Sequence, residues 1–370
     1  MNPLQQLEAC GQSPWLDYMK RSLIETGELR RMVESDGLKG VTSNPSIFEK
    51  AIGESEEYTA ALEAFQASGD HSVAAIYEHL AIADIRAAAD VLHPVHARTQ
   101  GRDGYISLEC SPYLANDTAA TVTEALRLWE AVARPNLMVK VPATPAGIPA
   151  IRTLIGRGLN INVTLLFGIA AYEQVVDAYI SGLEDLARAG GDVARIGSVA
   201  SIFVSRIDVA VDARLDKLGN PLWAQRFRGK MAIANARLAY LRYKALFSGQ
   251  RWQALAAAGA RTQRLLWAST STKSPAYKDT MYVVDLAAPN TVNTMPTKTM
   301  QAVTDHGEIL GDQVTGNYDD ARNVLDALER LGIPYADVVD VLEHEGVDKF
   351  AKSWAELLSD VQRELTKAIQ

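Results

Sequence analysis

Lys140 lies in the run Asn136-Leu137-Met138-Val139-Lys140-Val141-Pro142, whose apolar residues mark a buried β-strand. A buried ammonium loses far more solvation than one isolated contact returns, so a lysine in such a strand needs a reason. Desolvation lowers an amine from its ordinary pKa of about 10.4, which makes the neutral nucleophile available for attack on a carbonyl and Schiff-base formation. The ordinary alternatives are a side chain snorkelling from a strand end or pairing with a buried carboxylate.

Asp17, Asn44, Glu109, Asn162, Thr164 and Ser201, with Arg206 just beyond, also fall at the ends of strand-like runs. Two carboxylates and a lysine at one mouth supply a nucleophile, a general acid/base and a proton-handling partner, which carbonyl condensation followed by carbon–carbon cleavage requires. Asn and Ser groups would hold substrate hydroxyls. Taken singly, each has a plainer explanation: Asn44 before Pro45 as a turn residue, Asp17 as a cap for a helix near Lys20, Thr164 as an ordinary strand residue. Their shared position favours the chemical reading. Arg206, after Ser201-Ile202-Phe203-Val204-Ser205, and Lys273, ending Ser269-Thr270-Ser271-Thr272-Lys273, suggest a phosphate site, although Arg206 could instead pair with Asp208.

The elements that must position these residues alternate in type. Strand-like runs are Pro14–Tyr18, Gly40–Thr42, Tyr105–Glu109, Leu137–Pro142, Asn160–Thr164, Ile196–Ser201, Arg264–Ser269 and Met281–Leu286. Between them come helix-period stripes: Val122, Leu126, Trp129 and Val132 after a Thr121/Glu124 capping-box spacing, and Ile169, Tyr172, Val176, Tyr179, Leu183 and Leu186 before Gly190-Gly191. Eight alternations, with no dinucleotide-binding fingerprint after the first strand, predict an α/β (β/α)8 TIM barrel. Residues 49–104 and 208–260 are too long for single crossover helices and should carry additional ones. The segment Tyr318–Gln370 is helical with a break at Gly332-Ile333-Pro334, and its last helix should wrap over the barrel. With no linker, repeat or low-complexity tract, residues 1–370 are expected to form a single domain.

The 370 residues are 48% hydrophobic and carry net charge −8. No basic stripe points to nucleic acid or anionic membrane, so small molecules are the expected partners. Two cysteines, Cys10 and Cys110, make no disulfide framework, and no leader or membrane-spanning stretch is evident, which fits a cytoplasmic protein. Among six histidines only His93-x-x-His96 has metal-like spacing, in the first long insertion and away from strand ends, so no metal site and no cofactor is expected.

Five separated motifs then carry a resemblance: Trp15-Leu16-Asp17, Gly40-Val41-Thr42-Ser43-Asn44-Pro45-Ser46-Ile47-Phe48, Val139-Lys140-Val141-Pro142-Ala143-Thr144, Asn160-Ile161-Asn162-Val163-Thr164-Leu165-Leu166-Phe167 and Trp267-Ala268-Ser269-Thr270-Ser271-Thr272-Lys273. In order and over nearly the whole chain they resemble the transaldolases, specifically the longer bacterial type whose barrel is sometimes fused to a glucose-6-phosphate isomerase. With Gln370 the last residue, no isomerase module is expected here.

The resemblance implies a metal-free class I barrel that transfers a dihydroxyacetone unit from sedoheptulose 7-phosphate or fructose 6-phosphate to glyceraldehyde 3-phosphate or erythrose 4-phosphate, in the non-oxidative pentose phosphate pathway. Lys140 would form the Schiff base, Glu109 and Thr164 would hold a proton-shuttling water, and Asp17 would take the C4 hydroxyl proton. Asn44, Asn162 and Ser201 would bind the dihydroxyacetone hydroxyls, and Arg206 with Lys273 the phosphate. Shorter transaldolases have a second arginine where this chain offers Lys273, and a lysine cannot reproduce an arginine fork. The nearest alternative is a fructose-6-phosphate aldolase, from which Glu109 and Phe203 depart, since those aldolases carry Gln and Tyr there. A non-catalytic sugar-phosphate-binding barrel is the alternative from another class. A homodimer is compatible with the sequence, which does not fix the oligomeric state.

Overall fold

The computed structural model describes residues 1–53, 55–69 and 72–368. Eight parallel strands close into a barrel in sequence order: β1 (Gln12–Asp17), β2 (Gly40–Thr42), β3 (Tyr105–Glu109), β4 (Leu137–Pro142), β5 (Ile161–Leu166), β6 (Ser198–Phe203), β7 (Arg264–Ala268) and β8 (Thr291–Met295), with β8 returning to β1. Helices cover the outside, so β4 and β5 are buried along their whole length and read as nearly continuous apolar runs.

The eighth strand departs from the sequence expectation. Met281–Leu286 is no strand: Met281–Val284 forms a short helix, and β8 follows at Thr291–Met295. A short apolar run, here interrupted only by Asp285, does not distinguish a buried strand from a buried helical turn. The true strand was hidden by its polar residues, because Thr291 and Asn293 are buried through hydrogen bonds. Thr291 Oγ1 donates to the Ala288 carbonyl and Asn293 Nδ2 to the Tyr282 carbonyl.

The crossover after β3, Thr118–Val132, starts earlier than its Thr121/Glu124 spacing suggests. Asp117 is the cap and accepts from the Ala120 amide at 2.9 Å, while buried Thr121 donates to the Leu114 carbonyl. The crossover after β5, Ile169–Arg188, buries Tyr172, Val176, Tyr179, Leu183 and Leu186, and the chain then turns at Gly190 with φ of +80°. Both long insertions carry extra helices: Pro45–Gly53, Thr59–Gln66 and Val73–Arg98 in the first, Ser205–Lys217, Pro221–Phe227, Met231–Leu246 and Gln250–Ala257 in the second.

After Tyr318–Arg330 and the Gly332-Ile333-Pro334 break, the helix Tyr335–Ala368 packs on Pro45–Gly53, Val73–Arg98 and Ser205–Lys217. It is pinned at its start by Tyr335, whose hydroxyl donates to Asn235 Oδ1 and accepts from the Ile169 amide, and midway by Ser46 donating to Ser353. This helix therefore runs beside the C-terminal ends of the strands. Ile369 and Gln370, the end of the segment expected to be helical, lie outside the described residues. Among the described residues no helix is long and apolar enough to cross a membrane.

Candidate active site

Strand register brings the chemistry together. Glu109 on β3 pairs with Lys140 on β4, and Lys140 with Asn162 on β5, so three polar side chains share one row across neighbouring strands. Above that row is a cavity of about 190 Å³ at the C-terminal mouth, lined among others by Asp17, Asn44, Lys140, Asn162, Thr164 and Ser201, with Phe203, Arg206 and Lys273 also on its wall. Glu109 stands behind Lys140 rather than on the cavity surface. All ten residues singled out in the sequence thus converge, although the eighth strand was misplaced.

Lys140 Nζ donates to the Ser43 carbonyl at 3.1 Å and to Glu109 Oε2 at 3.3 Å, and both side chains are 7% exposed. Burial pushes the Glu109 carboxyl up to about 7 against the opposing pull of Lys140, which leaves it able to give or take a proton near neutrality. Asp17 is also raised by burial, countered by Thr42, Lys140 and Lys273. By surface area Asp17 is only half-buried, because one side forms the cavity wall. Thr42 Oγ1 donates to Asp17 Oδ1 at 2.7 Å. That bond uses the single Thr42 hydroxyl proton, so in the 2.7 Å Thr42–Thr294 contact the donor is Thr294. A Thr294–Thr42–Asp17 relay therefore aims the carboxylate.

Ser201 donates to Asn162 Oδ1 at 2.7 Å and Asn162 Nδ2 donates to Ser107 at 3.0 Å, which fixes the amide against rotation. Asn44 Oδ1 accepts from the Ile47 amide at the start of Pro45–Gly53, so it is both the turn residue expected of an Asn before Pro and part of the cavity lining. Asp17 does not cap the helix Arg21–Glu25, which has no side-chain cap. Thr164 Oγ1 is buried without a hydrogen-bond partner among the described residues. The strand is irregular just past it: the β5–β6 register shifts between Val163 and Leu166, and Leu165 takes φ of +53°, a conformation that bulky residues avoid.

Arg206 does not pair with Asp208. Asp208 turns the other way, accepting from the Ala232 amide at 2.8 Å and the Tyr282 hydroxyl at 2.7 Å. The Arg206 guanidinium lies over the Phe203 ring at 5.0 Å and near Phe350 at 5.9 Å, and its Nη1 is buried without an acceptor among the described residues. Lys273 donates to Ser271 at 2.7 Å. Burial lowers both cations, and Lys273 is lowered further by Arg206. Two half-desolvated cations at one cavity rim, Arg206 depressing Lys273, are suited to a dianion such as phosphate.

Thr42, Ser107, Thr294 and Phe350 belong to the site but were not singled out. Thr42 stood inside a motif, whereas Thr294 was masked by the misplaced strand. Phe350 carries no signal, since an apolar residue on a helix reads as core. The His93-x-x-His96 pair lies at the other end of the barrel, where His96 packs on Tyr105 at the start of β3.

An amine held this way at the C-terminal mouth of a (β/α)8 barrel places the molecule among lysine-dependent, aldolase-type barrels. Residues 14–361 match the family described as Transaldolase/Fructose-6-phosphate aldolase. The chain is similar to a transaldolase of Thermobifida fusca, 51% identical over 364 residues and covering 98% of each chain. It is also similar to transaldolases of Parafrankia sp., 50% over 366 residues and 99% of each chain, and of Acidothermus cellulolyticus, 50% over 367 residues, 99% of this chain and 98% of that one. The chain belongs to the transaldolase/fructose-6-phosphate aldolase family.

Proposed function

We infer that the chain is a transaldolase acting on sugar phosphates through a lysine Schiff base. The observation that carries this reading is the buried Lys140 amine, opening onto the mouth cavity and backed by one carboxyl poised near neutrality.

The residue roles proposed here follow from that placement. The Lys140 amine attacks the ketose C2 carbonyl, and Glu109, with a water held by Thr164, protonates the departing carbinolamine hydroxyl to leave an imine. The otherwise unsatisfied Thr164 hydroxyl supports this assignment. Asp17 takes the proton from the C4 hydroxyl, the C3–C4 bond breaks, and its electrons pass into the imine to form an enamine on Lys140. The aldose phosphate departs, an acceptor aldose phosphate enters, and the steps reverse with Asp17 returning its proton. Asn44, Asn162 and Ser201 hold the three-carbon hydroxyls, while Phe203 supports Arg206 as it binds phosphate together with Lys273.

We place the enzyme in the cytoplasm and in the non-oxidative pentose phosphate pathway, as one 370-residue barrel domain without affinity for nucleic acid or membrane. Its free cysteines, half-buried Cys10 and buried Cys110, agree with a reducing compartment. The deciding experiment incubates fructose 6-phosphate with the protein, with and without erythrose 4-phosphate. Formation of sedoheptulose 7-phosphate only when both are present is the expected result. Free dihydroxyacetone released at the same rate without acceptor would make the chain an aldolase instead.

A further inference from the structure

The N-terminal end of the barrel, opposite the catalytic mouth, holds a second concavity of about 500 Å³, lined by His96, Trp129, Leu186, Asp192, Arg195 and Arg261. Arg261 also borders an adjoining depression of about 210 Å³, where Arg102 and Arg264 stand. The larger volume falls within the range that small-molecule sites occupy.

Arginines at the closed end of a barrel commonly serve stability, and Arg264 does so through its 2.9 Å pair with Asp103. Arg261 is placed differently. One nitrogen donates to the Gln100 carbonyl, its Nε is buried without an acceptor, and no carboxylate pairs with it among the described residues. Arg195 is exposed on the rim and likewise has no carboxylate partner among those residues. The one acid in the lining, Asp192, is occupied in part by accepting from the Ala194 amide at 2.9 Å. Burial, then His93 and Arg261, pull the His96 ring below its ordinary pKa, as a locally cationic surrounding would. Gly101, at φ of +79°, brings backbone close to this guanidinium, where a Cβ would stand 3.0 Å from the Arg261 Nη2. On the same lining the half-buried Trp129 and the edge of the buried Leu186 add apolar surface.

We propose that this concavity binds a phosphorylated small molecule with a flat ring, its phosphate between Arg195 and Arg261 and its ring against Trp129 and Leu186. Charge-assisted hydrogen bonds from a fork of donors suit phosphate, and an apolar wall beside them suits the body of a mononucleotide.

The test uses full-length protein carrying Arg206→Ala, to weaken phosphate binding at the catalytic mouth. Calorimetric titration with AMP and with inorganic phosphate is combined with hydrogen–deuterium exchange. One saturable AMP site, tighter than that for inorganic phosphate, is expected, with slowed exchange in residues 99–104 and 192–196 and none in 270–274. Adding Arg195→Gln should weaken AMP about ten- to a hundred-fold while the melting curve stays in place. Protection confined to 270–274, equal affinity for the two probes, no binding of AMP, or indifference to Arg195→Gln would each overturn the proposal.

Discussion

The barrel buries two ion pairs to the same depth. Arg264 and Asp103, at the N-terminal end, leave 8% and 7% of their side chains exposed, and Lys140 and Glu109, at the C-terminal end, leave 7% and 7%. Their surroundings differ. Asp103 Oδ1 accepts from Arg264 at 2.9 Å and from Trp15 Nε1 at 3.1 Å, and its Oδ2 accepts from Ser13, whose oxygen accepts in turn from Arg264 at 2.7 Å. Arg264 also donates to the Arg102 carbonyl. Lys140 and Glu109 meet in one longer contact at 3.3 Å, and Glu109 has no further hydrogen-bond donor among the described residues. Burial therefore does not set apart Lys140, the lysine proposed as the nucleophile. What sets it apart is a contact left unsaturated, with the lysine opening onto a cavity, whereas a saturated network holds a fold in one arrangement.

The sharpest way to break this contrast is to replace the cation in each pair. Lys140→Met should remove all measurable dihydroxyacetone transfer yet leave the protein folded, because Glu109 can take up a proton near neutral pH rather than remain a buried charge. Arg264→Met should cost about 3–5 kcal/mol in urea unfolding, since it strands the Asp103 charge inside the barrel. Equal stability losses in the two variants would erase the distinction.

Next in size are the two carboxylates at the mouth, each expected to contribute 10²–10⁴-fold to its own step. Asp17→Asn should form the ketose imine and cleave it slowly, so borohydride captures a six-carbon adduct. Glu109→Ala should accumulate little reducible imine at early times. If both variants yield the three-carbon adduct at the parent rate, the assignment of steps is wrong.

Arg206→Ala tests the rim. The KM for fructose 6-phosphate should rise about ten- to a hundred-fold, as expected for a lost charge-assisted pair, with little effect on unphosphorylated fructose. Equal losses on both sugars would assign Arg206 to structure.

The smallest expected effect concerns pH. Glu109 titrates at 4.5 in its ordinary state and about 7 when folded, so folding takes up a proton between those values. Its contribution to stability is complete below about pH 4.5 and is lost as pH rises through about 7, a change on the order of 1–3 kcal/mol. Glu109→Gln should flatten that part of the stability profile. Parallel profiles for variant and parent would contradict the raised carboxyl.

Most of the mouth was legible in the sequence because barrel geometry turns a list of strand ends into a single place, and Asp17, Glu109, Lys140 and Asn162 each end or nearly end an apolar run. The eighth strand was not, because its polar residues are buried through side-chain bonds to the carbonyls of Ala288 and Tyr282, which an apolar pattern does not record. Phe350 escaped for a related reason: its position over Arg206 depends on how Tyr335–Ala368 lies across the barrel, which its helical period does not specify. The contrast between the two ion pairs was also invisible, since hydrogen-bond saturation belongs to the packed interior.

The central claim is that Lys140 is the nucleophile, and reductive trapping tests it most directly. After incubation with fructose 6-phosphate and borohydride, peptide mass spectrometry should find a dihydroxyacetone-derived adduct on the peptide containing Lys140, absent from Lys140→Met. An adduct on another lysine, or an active enzyme that borohydride leaves unlabelled, would contradict the account.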